Sequence, residues 1–414
     1  MTNQNMSRAN TFIILFPVLW VGFNYSFSSN DELVLSRPKY SFEEKKIASP
    51  DSAKHLANNR DSAMNWYGQG ILKNNAHQFA DAIVCFTKAL KLDSTLASAY
   101  LDRAHSKNKL MDYKSALADY DLALKLPLTW EESYEAYFNK GLTQTLLENL
   151  KGAMANFSSA IKINPKYADA YYNRSIIKGR VGDYYGELAD INTAISLKPT
   201  DANAFNSRGI VKSMMGNFTG AMLDYNQAIA LDKTNANAYF NRGITYYEQN
   251  EYLSALNDFS TVIQIKPDAD AYNRRANAKC RMNNVRGAFE DYSAAIKIGP
   301  KYSVAYLNRG QLKFDLKDYQ SAIDDYTTAI KIQPDFSIAF YNRGLAKRKL
   351  NDYKGEIADY NMAIEYQPDN QDAYYKRGMA RYDQDDQRGG CEDLNQAVKQ
   401  GSNLAYDYLI AHCK

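Results

Sequence analysis

The sequence predicts an all-α solenoid of about ten helix-turn-helix repeats with a capping helix at the C-terminus. Three observations carry this expectation. Basic-plus-small pairs recur at Arg174-Ser175, Arg208-Gly209, Arg242-Gly243, Arg275-Ala276, Arg309-Gly310, Arg343-Gly344 and Arg377-Gly378, 34 residues apart except for one step of 33. An aromatic stands three residues before each pair (Tyr171, Phe205, Tyr239, Tyr272, Tyr306, Phe340, Tyr374). Pro165, Pro199, Pro267, Pro300, Pro334 and Pro368 fall where helical patterning stops, as residues that cannot continue a helix. A fixed period of about 20 to 50 residues marks a chain in which each unit buries its apolar face against its neighbours.

The N-terminus stands apart. Met1–Asn10 carries one cation, Arg8, and Thr11–Phe23 is apolar, followed by Ser26, Ser28 and Ser29. This is the layout of a secretory signal peptide over residues 1–28, giving a periplasmic or secreted protein. A spanning helix needs ~20 apolar residues, and Pro17 interrupts this stretch. An uncleaved membrane anchor through residues 11–27 is the second reading, and a disordered tail the third. No Cys follows the stretch, so no lipid-modified start is expected. Residues 29–62 read as a linker with room for a leading helix.

The repeats are expected over 63–96, 97–133, 134–167, 168–201, 202–235, 236–268, 269–302, 303–336, 337–370 and 371–404, with the cap over 403–414. In Ala168–Asp201, apolar residues recur at helical spacing, break at Gly182-Asp183, and resume through Leu188–Leu197. One first-helix site is always small, from Gly70 to Gly378, and a second-helix site is Ala in nine units and Val262 in the tenth. Facing small residues would let the two helices approach closely. About three extra residues around Pro127–Glu131, including Trp130, are expected to form a surface bulge, with an extra contact point as the alternative.

These residues resemble the tetratricopeptide repeat family over about four-fifths of the chain. The resemblance implies antiparallel helix pairs stacked into a right-handed superhelix, an inner groove lined by first helices, and a role in holding partners. Lys107, Lys178, Lys212, Lys279, Lys313 and Lys347 stand where the family commonly has Tyr. Members that clamp a C-terminal carboxylate use Lys at the site held here by Tyr67, Phe138, Tyr172, Phe240, Tyr341 and Tyr375, so no such clamp is expected.

A basic file in the first helices (Arg103, Lys140, then the Arg of each pair) runs beside an acidic file in the second: Asp119, Asp190, Asp224, Asp258, Asp291, Asp325, Asp359 and Asp393. Both weaken together, at Gln69 with Cys85 and at Lys140 with Asn156. An inter-helix salt-bridge ladder is the first reading; arginines held out to an anionic ligand is the other. The residue before the basic site is Asn139, Asn173, Asn241, Asn308 or Asn342 in half of the units. Amide side chains both donate and accept, so such a file can hold an extended peptide backbone. Tyr172, Phe240 and Tyr341, one step earlier, would add apolar pockets or else belong to the core. Glu187 and Glu356 replace small residues in the first turn of second helices, where helix amides favour negative charge.

No catalytic set, phosphate loop or metal-ligand spacing appears: His55, His77, His105 and His412 are scattered. No enzyme, cofactor or metal is expected. With 50 basic and 47 acidic residues the net charge is +3, which gives no basic stripe for nucleic acid. Cys391 and Cys413 each lie eleven residues from Ser402, so a helical hairpin would bring them level as a disulfide candidate in an exported chain. Cys85 and Cys280 are assigned to the core. The sequence thus reads as an exported scaffold binding a protein or peptide. A membrane-anchored assembly factor is the first alternative, and a carrier or subunit of an enzyme the second.

Overall fold

In the computed structural model, residues 52–413 are described; the expected signal or anchor lies outside them. The chain forms two compact units. The first, to Asp183, contains α1 (Ser52–Asn75), α2 (Phe79–Leu92), α3 (Ala97–Lys109), α4 (Tyr113–Ala123), α5 (Trp130–Leu146), α6 (Leu150–Ile163) and α7 (Ala168–Arg180). The second begins with α8 (Tyr184–Leu197), α9 (Ala202–Met214), α10 (Phe218–Leu231), α11 (Ala236–Glu248), α12 (Tyr252–Ile265), α13 (Ala269–Arg281) and α14 (Val285–Ile298). It continues through α15 (Ser303–Asp315), α16 (Tyr319–Ile332), α17 (Ser337–Lys349), α18 (Tyr353–Tyr366), α19 (Gln371–Asp383), α20 (Gln387–Lys399) and α21 (Asn403–His412). No strand occurs among the described residues, and the architecture is an all-α solenoid of helix-turn-helix repeats.

Each hairpin turn is compact for a local reason. One residue takes a left-handed conformation, and the N-cap of the second helix follows within two residues. Only Gly182 and Gly216 fill that place without cost; elsewhere it is His77, Met111, Glu148, Asn250, Asn283, Lys317, Asn351 or Asp385. Asx caps close the turn, with Asp112, Asn149, Asn217, Asn284, Asp318, Asp352 and Asp386 accepting from the amide three residues on.

Within a hairpin, the glycine at the small first-helix site meets a second-helix ring at Gly70, Gly141, Gly209, Gly243, Gly310 and Gly344, and Leu394 with the Gly390 carbonyl at Gly378, rather than the second small site. A Cβ at Gly209 would lie 2.5 Å from Tyr225 Cε1, at Gly310 2.8 Å from Tyr326 Cε1, and at Gly344 2.8 Å from Tyr360 Cε1. Those rings are the largest fully buried side chains of their hairpins. The small site therefore admits an aromatic, a different use from the close helix approach expected of facing small residues.

Of the extra residues at Pro127–Glu131, Pro127 to Thr129 stay outside the helices, and Trp130 and Glu131 join α5. Thr129 and Glu132 make a reciprocal capping box, which starts α5 early and lengthens it to 17 residues. Trp130 stays exposed, its ring 5.0 Å from that of Tyr134 and its Nε1 donating to the Ile163 carbonyl at 3.1 Å. Similarly α1 begins at Ser52, well ahead of residue 63.

In the first unit α1, α3, α5 and α7 touch in succession; in the second α9, α11, α13, α15 and α17 do the same. First helices therefore line one face of each unit. At the C-terminus α21 lays Ala405, Tyr408 and Leu409 on Leu394 and Ala397, covering the last hairpin.

Candidate partner-binding face

The arginines are committed inside the stack. Arg103, Arg208, Arg242, Arg275, Arg309, Arg343 and Arg377 each grip their hairpin's Asp bidentately, with Nε–Oδ2 at 2.8–2.9 Å and Nη2–Oδ1 at 2.5–2.7 Å. These bonds push Arg242 and Arg275 above the ordinary guanidinium range, against the opposing effect of burial. Lys107, Lys212, Lys279, Lys313 and Lys347 bring a second cation onto the same carboxylate at 2.7–2.8 Å. In the last hairpin Arg381 takes that place at 2.9 Å.

Each guanidinium also makes two contacts the sequence reading missed. Its third nitrogen reaches back to a polar side chain on the preceding second helix: Thr87 for Arg103, Asn192 for Arg208, Asn226 for Arg242, Ser293 for Arg309, Thr327 for Arg343. The aromatic three residues earlier stacks on it, as Phe205 on Arg208 and Tyr374 on Arg377, with centroids 5.2 and 5.3 Å away. In these hairpins the ladder reading therefore holds and the anion-gripping one does not. A sequence signal existed, in the unbroken run of small polar residues 16 positions before most of the arginines.

The asparagine file divides. Asn241 Nδ2 donates to Asn206 Oδ1 at 3.0 Å, and Asn308 Nδ2 donates to Asn273 Oδ1 at 2.9 Å, in each case across to the preceding hairpin. Both donors are half-buried, and each side chain carries a carbonyl oxygen and a second amide proton beyond the one it donates. Asn173, also half-buried, donates back to the Asp169 carbonyl at 2.8 Å. Asn139 and Asn342 are instead sealed, 5% and 4% exposed, with Oδ1 lacking a protein partner. The register explains this: the place held by Asn206 or Asn273 behind the paired amides is Leu101 or Leu307 behind these two.

The aromatic file divides likewise. Tyr341 lies in the core, packed on Tyr360, and so do Tyr67 and Phe138. Tyr172 and Phe240 are half-buried. Phe240 rests against Phe259 and carries the Arg274 guanidinium 5.3 Å above its ring. Arg274 stands in the asparagine register between Asn241 and Asn308, a substitution legible from the repeat alignment.

At the same register in the second hairpin is Asp102, 4% exposed, accepting from Tyr67 Oη at 2.7 Å. Burial pushes its carboxyl up to about 7; the Tyr67 hydrogen bond opposes this and the Glu132 charge adds to it. Glu356 finds a different partner from helix amides. Arg348 reaches it at 3.3 Å while holding Asp383 at 2.7 Å, and burial pushes the Glu356 carboxyl up against that charge. Glu187 is likewise buried in the first turn of α8. Cys391 and Cys413 are placed as a pair, their Cα atoms 5.7 Å apart. Cys85 is buried and Cys280 half-buried.

Three family models match: "TPR repeat" over 214–250, "Tetratricopeptide repeat" over 303–336, and a second "Tetratricopeptide repeat" model over 134–167, 236–268 and 338–370. The chain belongs to the tetratricopeptide repeat family. A tetratricopeptide repeat protein from Parabacteroides merdae is 19% identical, with TM-score 0.50, covering 60% of this chain and 98% of its own. The APC/C hetero-tetramer Cut9-Hcn1 covers 85% of this chain and 76% of its own, at 16% identity and TM-score 0.49. YrrB, described as a TPR protein with an unusual peptide-binding site, is 25% identical with TM-score 0.38, covering 45% of this chain and 94% of its own. No curated protein matches the sequence significantly. The tetratricopeptide fold implies protein–protein interaction, and such arrays are typically non-catalytic scaffolds. Among the described residues no three His, Cys, Asp or Glu side chains are grouped to hold a metal, and no helix is long and apolar enough to cross a membrane.

Proposed function

We propose that this tetratricopeptide protein is an exported scaffold that holds an extended segment of a partner protein along its first-helix face. The observation that supports this best is the pair Asn241 and Asn308. Each is fixed by one hydrogen bond to the preceding hairpin and keeps an acceptor and a donor for a ligand. Fixed amides at regular spacing match the alternating N–H and C=O groups of a peptide backbone and ask little of its side chains. Rigid stacking keeps them in place before binding, which lowers the entropy lost on association. Phe240 offers half-buried apolar surface beside Asn241. Tyr172 and Asn173 offer the same combination on the first unit. The guanidinium ladder, already satisfied, contributes rigidity.

Export is supported by the N-terminal layout around Thr11–Phe23 and by the Cys391–Cys413 pair, which would oxidise outside a reducing cytosol. The anchored alternative predicts that residues 11–27 are retained. N-terminal sequencing of the protein from its natural host decides: a start near Ser29 supports export by cleavage, and retention of the stretch supports the anchor.

An arrayed library of short peptides, with hits measured by fluorescence anisotropy, tests the face. Asn241→Ala and Asn308→Ala should each weaken binding about tenfold, the loss of roughly one well-made hydrogen-bond pair. Hits that bind both variants as tightly as the parent would reject the asparagine assignment.

A further inference from the structure

We propose that the cleft between α13, α14 and α15 receives a cationic side chain, lysine or arginine, of the bound segment. The inference rests on the reading above for the ligand being a peptide, while the cleft itself is defined by its own residues. It has a volume of about 400 Å³, and Asn308 lies on its wall. The amide proposed to hold the peptide backbone therefore also borders the cleft, so a side chain leaving that backbone has somewhere to go.

The lining has two parts. Val285, Leu312 and Leu316 give an aliphatic surface, and Asp315 gives a carboxylate. Gln311 Nε2 donates to Asp315 Oδ1 at 2.9 Å, which orients the carboxylate. No cation of the described residues comes within ion-pair distance of Asp315. Three cations of α13 and α15 are engaged elsewhere: Lys279 on Asp291 and Lys313 on Asp325, both at 2.7 Å, and Arg281 on the Tyr252 hydroxyl at 3.1 Å. A long aliphatic stem ending in positive charge is the side-chain type that satisfies both parts at once.

The cleft is preformed and its charge reaches the floor. Tyr292 Oη donates to Asn277 Oδ1 at 2.6 Å and lies 3.7 Å from Cys280 Sγ, so the floor is pinned. Burial pushes Cys280 and Tyr292 up, and the Asp315 charge pushes both in the same direction. An uncompensated carboxylate that acts on two floor groups would act on a guest cation there too.

Cys280 lines the cleft and provides the test. The full chain is equilibrated with symmetrical aminoalkyl disulfides of two, three or four carbons in a fixed excess of 2-mercaptoethanol. The Cys280 thiolate attacks one sulfur, forms a mixed disulfide and releases the corresponding aminoalkyl thiol. Neutral hydroxyalkyl and anionic carboxyalkyl disulfides of matched length run in parallel, and peptide mass mapping reads occupancy at Cys280. At least one aminoalkyl cap should be favoured over its neutral match roughly three- to fivefold, the upper range for a part-exposed ion pair. The anionic cap should be disfavoured. In Asp315→Asn, a change at an exposed helix end whose folding circular dichroism checks, the ratios should fall to about one. Equal capture of all caps, a cationic preference that survives Asp315→Asn, or no capture at all would overturn the proposal. None of these results depends on the peptide, so loss of the cleft and loss of the asparagine face are distinguishable.

Discussion

Replacing Asp102 by Asn should make the protein more stable at alkaline pH and leave it nearly unchanged in acid. The Asp102 carboxyl is sealed, no cation of the described residues pairs with it, and its folded-state value stands at about 7. In the unfolded chain an aspartate titrates near 3.9. The folded state therefore holds the proton more tightly. Its contribution to stability is fully present below about pH 4 and is lost as pH rises through about 7. At about 1.4 kcal/mol per pH unit, the interval from 3.9 to about 7 gives a ceiling of roughly 4 kcal/mol of destabilisation above neutrality. Asparagine removes the ionisation and keeps an acceptor for Tyr67 Oη. It is also the residue at this register in five other hairpins, so the backbone accepts it. Thermal melts of parent and variant at about pH 5, 6.5 and 8, with hydrogen exchange over α1–α4, measure the effect. The stability gap should open with pH and localise to the first hairpins. A gap of equal size at all three pH values would refute the argument, since it would mean that the buried charge is not the cause.

Four other outcomes follow from the geometry. Asp325→Ala strands Arg309 and Lys313, both largely buried, and should cost about 3–5 kcal/mol by denaturant unfolding, against a few tenths for the exposed Glu392→Ala. Gly310→Leu must displace the Tyr326 ring, 2.8 Å from the new Cβ, and should destabilise by about 1–3 kcal/mol, visible as faster exchange in α15 and α16. Met111→Gly frees an exposed side chain from a left-handed turn and should stabilise by up to about 1 kcal/mol, a small rise in melting temperature of the first unit. For the cysteines, intact mass with and without reductant should differ by the two hydrogens of a Cys391–Cys413 bond.

By itself the sequence determined where the helices lie and which residues pair within a hairpin. Both are local: a 34-residue period, an Asx cap and a proline act over a few residues, and Arg309 and Asp325 sit 16 apart in a rigid frame. The tertiary structure decided which members of each file are open. Asn241 and Asn342 occupy the same register, yet one is held half-buried by Asn206 and the other is sealed behind Leu307's register. That difference is set by the preceding hairpin, a neighbour in space about one period away in sequence. The same holds for Tyr341, drawn into the core on Tyr360, while Phe240 keeps a half-exposed ring under Arg274. The cleft at Asp315 also appears only when three helices meet, because an uncompensated charge is a statement about every neighbour at once. Periodicity fixes what each position can be; packing against the adjacent hairpin fixes what it is free to do.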